Sequence, residues 1–151
     1  MPKYYFDDFR VGQVFDTGPR RVTKDEIVAF ARKFDPQPFH IDEEAAKKYM
    51  FGGIIASGWH TAAICMRMSV DGMIKDAASL GSPGIDELRW LKPVRPGDEL
   101  KLRMEVVEVT PSRSKPDRGT IRVHWTMSNA AGEPVMTMRG LGMYARRPKA
   151  A

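Results

Sequence analysis

Trp59-His60-Thr61-Ala62-Ala63-Ile64-Cys65-Met66-Arg67-Met68-Ser69-Val70, continuing to about Lys75, is apolar on nearly every helical face. Trp59, Ala62, Ala63, Ile64, Cys65, Met66, Met68, Val70, Met73 and Ile74 leave no clean polar side. A helix of that kind is buried all round, so the rest of the chain has to wrap it. The second half offers the wrapping. Gly84 to Val94, Glu99 to Thr110, Gly119 to Ser128 and Val135 to Ala145 have strand character, and Thr120-Ile121-Arg122-Val123-His124-Trp125-Thr126 alternates. Arg95-Pro96-Gly97-Asp98 and Asn129-Ala130-Ala131-Gly132 are turns between two of the pairs, and Pro111 to Arg118 is a polar loop. Short links between consecutive strands favour antiparallel pairing. The expectation is an α+β fold, one curved antiparallel sheet wrapped around a long buried central helix. One sheet does not fully cover such a helix, which predicts a homodimer or higher homo-oligomer.

Ahead of that helix the elements are short. Gly12-Gln13-Val14-Phe15-Asp16 and Arg20-Arg21-Val22 read as a strand pair around Thr17-Gly18-Pro19. Thr23 with Glu26 three residues on is a capping box. The helix it opens carries Ile27, Phe30, Ala31 and Phe34 on one face and stops at Asp35-Pro36. Asp42 is an N-cap for a second helix from Glu43 to about Tyr49, with acids in its first turn and lysines near its end.

At 151 residues the chain is long enough for one core, and residues 1–151 are read as one domain. The net charge of +5 suits either a solvated basic surface or attraction to an anionic small ligand. The basic residues are scattered without an aromatic platform, which argues against a nucleic-acid partner. No apolar run is long enough to span a bilayer, and Met1-Pro2-Lys3-Tyr4-Tyr5 lacks the pattern of a signal peptide. Cys65 is the only cysteine, so no internal disulfide forms, which suits a cytoplasmic location. Arg146, Arg147 and Lys149 read as a frayed basic tail.

Chemistry concentrates in Asp35-Pro36-Gln37-Pro38-Phe39-His40. Two prolines fix φ and remove backbone donors, so the segment is read as a stiff turn rather than a regular helix or central strand. A stiff loop holding a carboxylate and an imidazole positions an acid/base pair. The other candidates are weaker. His60 reads as a core or interface residue and His124 as structural. Cys65 has no adjacent base, and the histidines show no metal spacing, so no metal is expected.

The same residues carry a resemblance. Phe34-Asp35-Pro36-Gln37-Pro38-Phe39-His40-Ile41-Asp42, Ala45-Ala46, Gly52-Gly53-Ile54-Ile55-Ala56-Ser57-Gly58 and Leu91-Lys92-Pro93-Val94-Arg95-Pro96-Gly97-Asp98 resemble the MaoC-like dehydratase family, relatives of the (R)-specific enoyl-CoA hydratases. The resemblance spans roughly Phe6 to Tyr144. It implies a hotdog fold and reversible hydration of a trans-2-enoyl-CoA, with a coenzyme A thioester as substrate and no further cofactor. Asp35, Pro38 and His40 match the family signature. Gln37 stands where an asparagine is usual, Phe39 where an aliphatic residue is, and Phe34 where a glycine precedes the aspartate. By this resemblance Asp35 and His40 activate water. The backbone N–H of Gly58 is a candidate for the oxyanion that develops on the thioester oxygen, and Ser57 either caps the helix or touches substrate. Arg113, Lys115 and Arg118 are candidates for coenzyme A phosphates. A hotdog thioesterase and a non-catalytic acyl-thioester-binding module are the competing readings. The stretch from Trp59 to Val70 has no acid, which weighs against hydrolysis.

Overall fold

The computed structural model describes residues 1–150. Six strands form one antiparallel sheet. They are β1 (Val14–Arg21), β2 (Ser79–Gly81), β3 (Ile85–Trp90), β4 (Glu99–Pro111), β5 (Arg118–Ser128) and β6 (Pro134–Ala145). The order runs β1-β4-β5-β6, and both β2 and β3 pair with β6. Helices α1 (Lys24–Phe34), α2 (Pro38–Ile41) and α3 (Glu43–Ala46) precede α4 (Gly58–Gly72), the long central helix. This is the hotdog arrangement, a sheet curled around one helix.

The strands supply the inner surface by alternation. On β4, Leu100, Leu102, Met104 and Val106 are buried while Lys101 and Arg103 face water. Ile121, Val123 and Met127 on β5 and Met136 and Met138 on β6 continue the same layer. Helix α4 buries Thr61, Ile64, Cys65, Met68 and Ser69 beneath it, and His60 against Phe30 of α1. Ser69 links helix and sheet: its Oγ donates to the Cys65 carbonyl at 2.7 Å and accepts from Trp125 Nε1 at 3.0 Å. A Leu102→Ala change in this layer would remove about 2–5 kcal/mol of stability by leaving a cavity.

Several local expectations need correction. Helix α4 is not buried all round: Trp59 and Met66 are 60% and 48% exposed, and Ala63 and Arg67 also face outward. Alanine, methionine and tryptophan suit either face, so composition hid the two sides. The early strand pair is one strand, β1, whose two halves both pair with β4 across an irregularity between Thr17 and Arg20. The turn at Arg95–Asp98 does not close a hairpin, because β3 pairs with β6 and not with β4. The Pro-rich segment does contain a short helix, α2, since Pro38 sits at the N-terminal position where its missing N–H costs nothing. Helix α3 is shorter than expected, though Asp42 Oδ1 does cap it by accepting from Ala45 N–H at 3.0 Å. Thr23 Oγ1 accepts from Glu26 N–H at 3.2 Å, but the Glu26 carboxylate faces Arg20 instead of closing the box. The basic tail is anchored. Arg146 and Arg147 pair with Asp7 and Asp8 and lie over the rings of Phe6 and Tyr5.

Candidate active site

Helix α1 ends at Asp35, whose N–H still bonds to the Ala31 carbonyl. Gln37 then stands at the N-cap position of α2 without a side-chain capping bond, and His40 sits in the last turn of that helix. Phe39 packs edge-on against His40 at 4.5 Å between ring centroids and against Tyr49 at 5.1 Å, which fixes the α2 side chains. The Ile54–Ser57 segment runs beneath α2. Ile55 N–H bonds to the Phe39 carbonyl at 3.2 Å, and Ala56 N–H to that of Val94 at 2.8 Å.

This framework brings Asp35, His40 and Ser57 together. His40 is buried, and its Nδ1 lies 2.7 Å from the Ile55 carbonyl oxygen. A carbonyl accepts only, so Nδ1 carries a proton there. The other ring nitrogen, Nε2, lies 3.3 Å from Asp35 Oδ2. A direct Nε2–Oδ2 hydrogen bond therefore requires one more proton, shared between imidazole and carboxylate. Ser57 Oγ donates to the same Oδ2 at 2.7 Å, and Gln37 Nε2 donates to Oδ1 at 2.7 Å. Burial pushes the Asp35 carboxyl up, but bonds from Ser57 and Gln37 and the nearby His40 outweigh it and hold the group below its ordinary value.

Ser57 caps α4 as well as bonding to Asp35, because its Oγ also accepts from Trp59 N–H at 3.3 Å. Gly58 opens α4, and its N–H meets no acceptor among the described residues. The glycine itself is demanded by Trp90. A Cβ at position 58 would lie 2.5 Å from the indole. His40 and Gly58 open on a cavity of about 340 Å³ walled by Phe39, Phe51, Thr61, Trp90 and Leu91.

Arg113, Lys115 and Arg118 are not brought to this cavity within one protomer. Trp90 pairs with Met136, but Gly119 pairs with Tyr144. That stretch of β6 is roughly 26 Å long at about 3.3 Å per residue. Arg118 instead pairs with Asp117 at 2.9 Å. The cation that does line the cavity is Lys92, paired with Glu133. Sequence reading missed Lys92, Gln37 as an orienting donor, and the Ile55 carbonyl. For Gln37 the signal was its place two residues from Asp35; a backbone carbonyl leaves none.

His60 lies elsewhere, stacked on Phe30 with 4.8 Å between centroids. Burial, and then the Arg20 charge, push it down to about 4. Burial pushes the Cys65 thiol up to about 12, so it is no thiolate at neutral pH. No cluster of three potential metal ligands occurs among the described residues.

The chain is similar to known proteins over most of its length. The sequence model of the MaoC like domain matches residues 8–128. A MaoC-like dehydratase from Rhodospirillum rubrum is 43% identical, with a TM-score of 0.86 over 97% of this chain and 99% of that one. An uncharacterized protein of Bacillus subtilis is 43% identical over 72% of this chain and 77% of its own. The 3-hydroxybutyryl-CoA dehydratase of Methylorubrum extorquens is 29% identical over 74% of this chain and 69% of its own. With a matching domain spread across both the Asp35–His40 segment and the sheet that holds it, the chain belongs to the MaoC-like dehydratase family.

Proposed function

We propose that this protein is a hydro-lyase that reversibly hydrates a trans-2-enoyl-CoA to the 3-hydroxyacyl-CoA. The observation that carries this reading is the Asp35–His40 contact at 3.3 Å beside a cavity that also presents the free Gly58 N–H. Water adds across the double bond: its oxygen goes to the β-carbon and a proton to the α-carbon. The pair takes one proton from the water and returns one to the α-carbon. In between, charge gathers on the thioester oxygen. The Gly58 N–H, at the positive end of α4, is the donor for that oxygen. Ser57 and Gln37 hold the carboxylate, and the Ile55 carbonyl holds the imidazole. The coenzyme A thioester is the substrate, and the chemistry needs no further cofactor. Lys92 is the nearer phosphate contact; Arg113, Lys115 and Arg118 act only if a second copy carries them to the cavity. The 29%-identical relative named 3-hydroxybutyryl-CoA dehydratase supports the same reaction class.

The partner is a second copy of the chain. Strand β3 pairs with β6 on one side only and leaves an open edge. Glu87 and Arg89 share the outer face with Arg139 and Thr137, their cross-strand partners, while Leu88 and Trp90 share the inner one. A two-fold axis at Leu88 sets Glu87 against Arg89 of the second copy, and Leu88 against itself. Exposed Trp59 and Met66 flank that edge and would be covered.

Crotonyl-CoA tests the reaction. Enone absorbance should fall with no thiol released. Thiol release identifies a thioesterase, and neither signal with acyl-CoA binding intact identifies a binding module.

A further inference from the structure

Trp90 stands at the end of β3 with its indole pressed on Gly58, where a Cβ would meet three ring atoms at 2.5, 2.6 and 2.9 Å. Trp59, in the first turn of α4, meets that indole edge to face, 5.2 Å between centroids at 80°. Two large rings thus bridge the helix and the edge strand. On one side lies the His40 cavity. A second cleft of about 400 Å³ lies farther along β6, lined mostly by apolar groups that include Met66, Ile85, Trp125, Met138 and Tyr144, and by neither Trp59 nor Trp90. The two share no lining residue. They follow one another along β6: Trp90 opposes Met136, and Met138, the next inward residue, borders the second cleft.

We propose that the Trp59–Trp90 pair is a partition that ends the acyl pocket and restricts this protein to short acyl chains. The proposal rests on the hydratase reading and adds the substrate class to it. With the thioester oxygen at Gly58 N–H and the β-carbon beside His40, the pantetheine arm must leave through the solvent-open side. The acyl chain then meets the aromatic wall. The indole is 45% exposed, yet it cannot yield toward α4, because the Gly58 backbone lies against it, and Trp59 flanks it edge to face. A longer chain gains room only when the wall is removed. Trp59 and Trp90 are specificity-determining residues and take no part in proton transfer. An apolar pocket discriminates by roughly 10–200-fold per methylene, so a filled wall gives a steep dependence on chain length.

The test measures binding and turnover together. Calorimetry gives the affinities for butanoyl-CoA and octanoyl-CoA, which do not react, and enone loss gives kcat/KM for the matching enoyl-CoAs. The wild type should favour the four-carbon chain by more than about tenfold in both. Trp90→Ala should cut that ratio at least tenfold, with Trp90→Phe between the two. If Trp90→Ala does not fold by circular dichroism, Trp59→Ala, at a position 60% exposed in the single chain, should cut the ratio as well in preparations whose oligomeric mass matches the wild type. A wild type with no chain-length preference, or variants that weaken both chains equally, overturns the partition. The expected binding ratios with no hydration of any enoyl-CoA overturn the hydratase reading and leave the partition standing. Absence of all acyl-CoA binding overturns both.

Discussion

Ser57 Oγ donates a 2.7 Å hydrogen bond to Asp35 Oδ2 while accepting the Trp59 N–H. One hydroxyl thereby locks the end of α1 to the start of α4, and so Asp35 to the proposed oxyanion donor. This bond is the foremost of those that hold the Asp35 carboxyl low. Ser57→Ala should raise that value, and the acid limb of kcat/KM should move to higher pH. The stability sign follows. A depressed carboxyl stabilises the fold above its ordinary value of 3.8 and loses that contribution as pH falls through the folded value. Acid unfolding of Ser57→Ala should therefore begin at higher pH. Loss of the cap should also lower stability at neutral pH by about 1 kcal/mol. An unmoved pH profile would remove Ser57 from the site.

Asp35→Asn and His40→Ala should each lower hydration of crotonyl-CoA by roughly 10²–10⁴-fold. They differ in cost to the fold. The amide introduced by Asp35→Asn keeps an oxygen for Ser57, so melting should change little. His40→Ala strips the Ile55 carbonyl of its buried donor and should destabilise by about 1–3 kcal/mol. Turnover and thermal melts on the same preparations separate the two effects, and full activity in either variant excludes that residue from the chemistry.

Gln37 Nε2 occupies Asp35 Oδ1 at 2.7 Å, so the longer side chain does orient the acid. Gln37→Ala should raise the Asp35 value and reduce kcat more than it changes KM, since the bond positions a reacting group rather than binding substrate. An altered KM at constant kcat would assign Gln37 to substrate binding instead.

The candidate site was legible where one residue type at a fixed spacing is enough. Asp35 and His40 stand five apart on a Pro-stiffened segment, and Ser57-Gly58 precede an apolar run. The geometry between them was not, since Asp35 and Ser57 meet only when α1 packs on α4. The strands of the second half were legible from alternation, as on β4 and β5. Their order was not: nothing in Arg95-Pro96-Gly97-Asp98 distinguishes a hairpin turn from a link that takes the chain away from β3. The one-sided burial of α4 escaped because Ala62, Ala63 and Met66 are at home on either face. The β1 irregularity escaped because Thr17-Gly18-Pro19 carries the chemistry of a reversing turn, and only pairing with β4 keeps the strand going.

His60 is buried and stacked on Phe30, and its Nδ1 has no partner among the described residues. Its folded value of about 4 lies below its ordinary 6.5. Between those values the unfolded chain binds a proton that the folded one refuses. Stability is full above about pH 6.5 and declines by up to about 1.4 kcal/mol per pH unit toward pH 4. His60→Phe keeps an aromatic ring on Phe30 and does not titrate. The slope of melting temperature against pH over that window should flatten in this variant, and an unchanged slope would place the titration on another group.

With a two-fold axis at Leu88, Glu87 of each copy opposes Arg89 of the other, whereas inside one chain Arg89 already pairs with Glu87 at 3.0 Å. Arg89→Glu replaces two attractions across the axis by two repulsions, directly opposite on one face. Sedimentation should show the wild type as a dimer at micromolar concentration and the variant shifted toward monomer. Adding Glu87→Arg restores opposite signs across the axis and should recover much of the dimer. Recovery will be incomplete, because Glu87 also lies 3.6 Å from Arg139 in its own chain and the swap sets two cations together there. A partner seated elsewhere predicts that neither variant changes the mass. Salt distinguishes the charge pairs from the rest of the contact: screening at high ionic strength should narrow the gap between wild type and Arg89→Glu, while the cover over Trp59 and Met66, being apolar, persists.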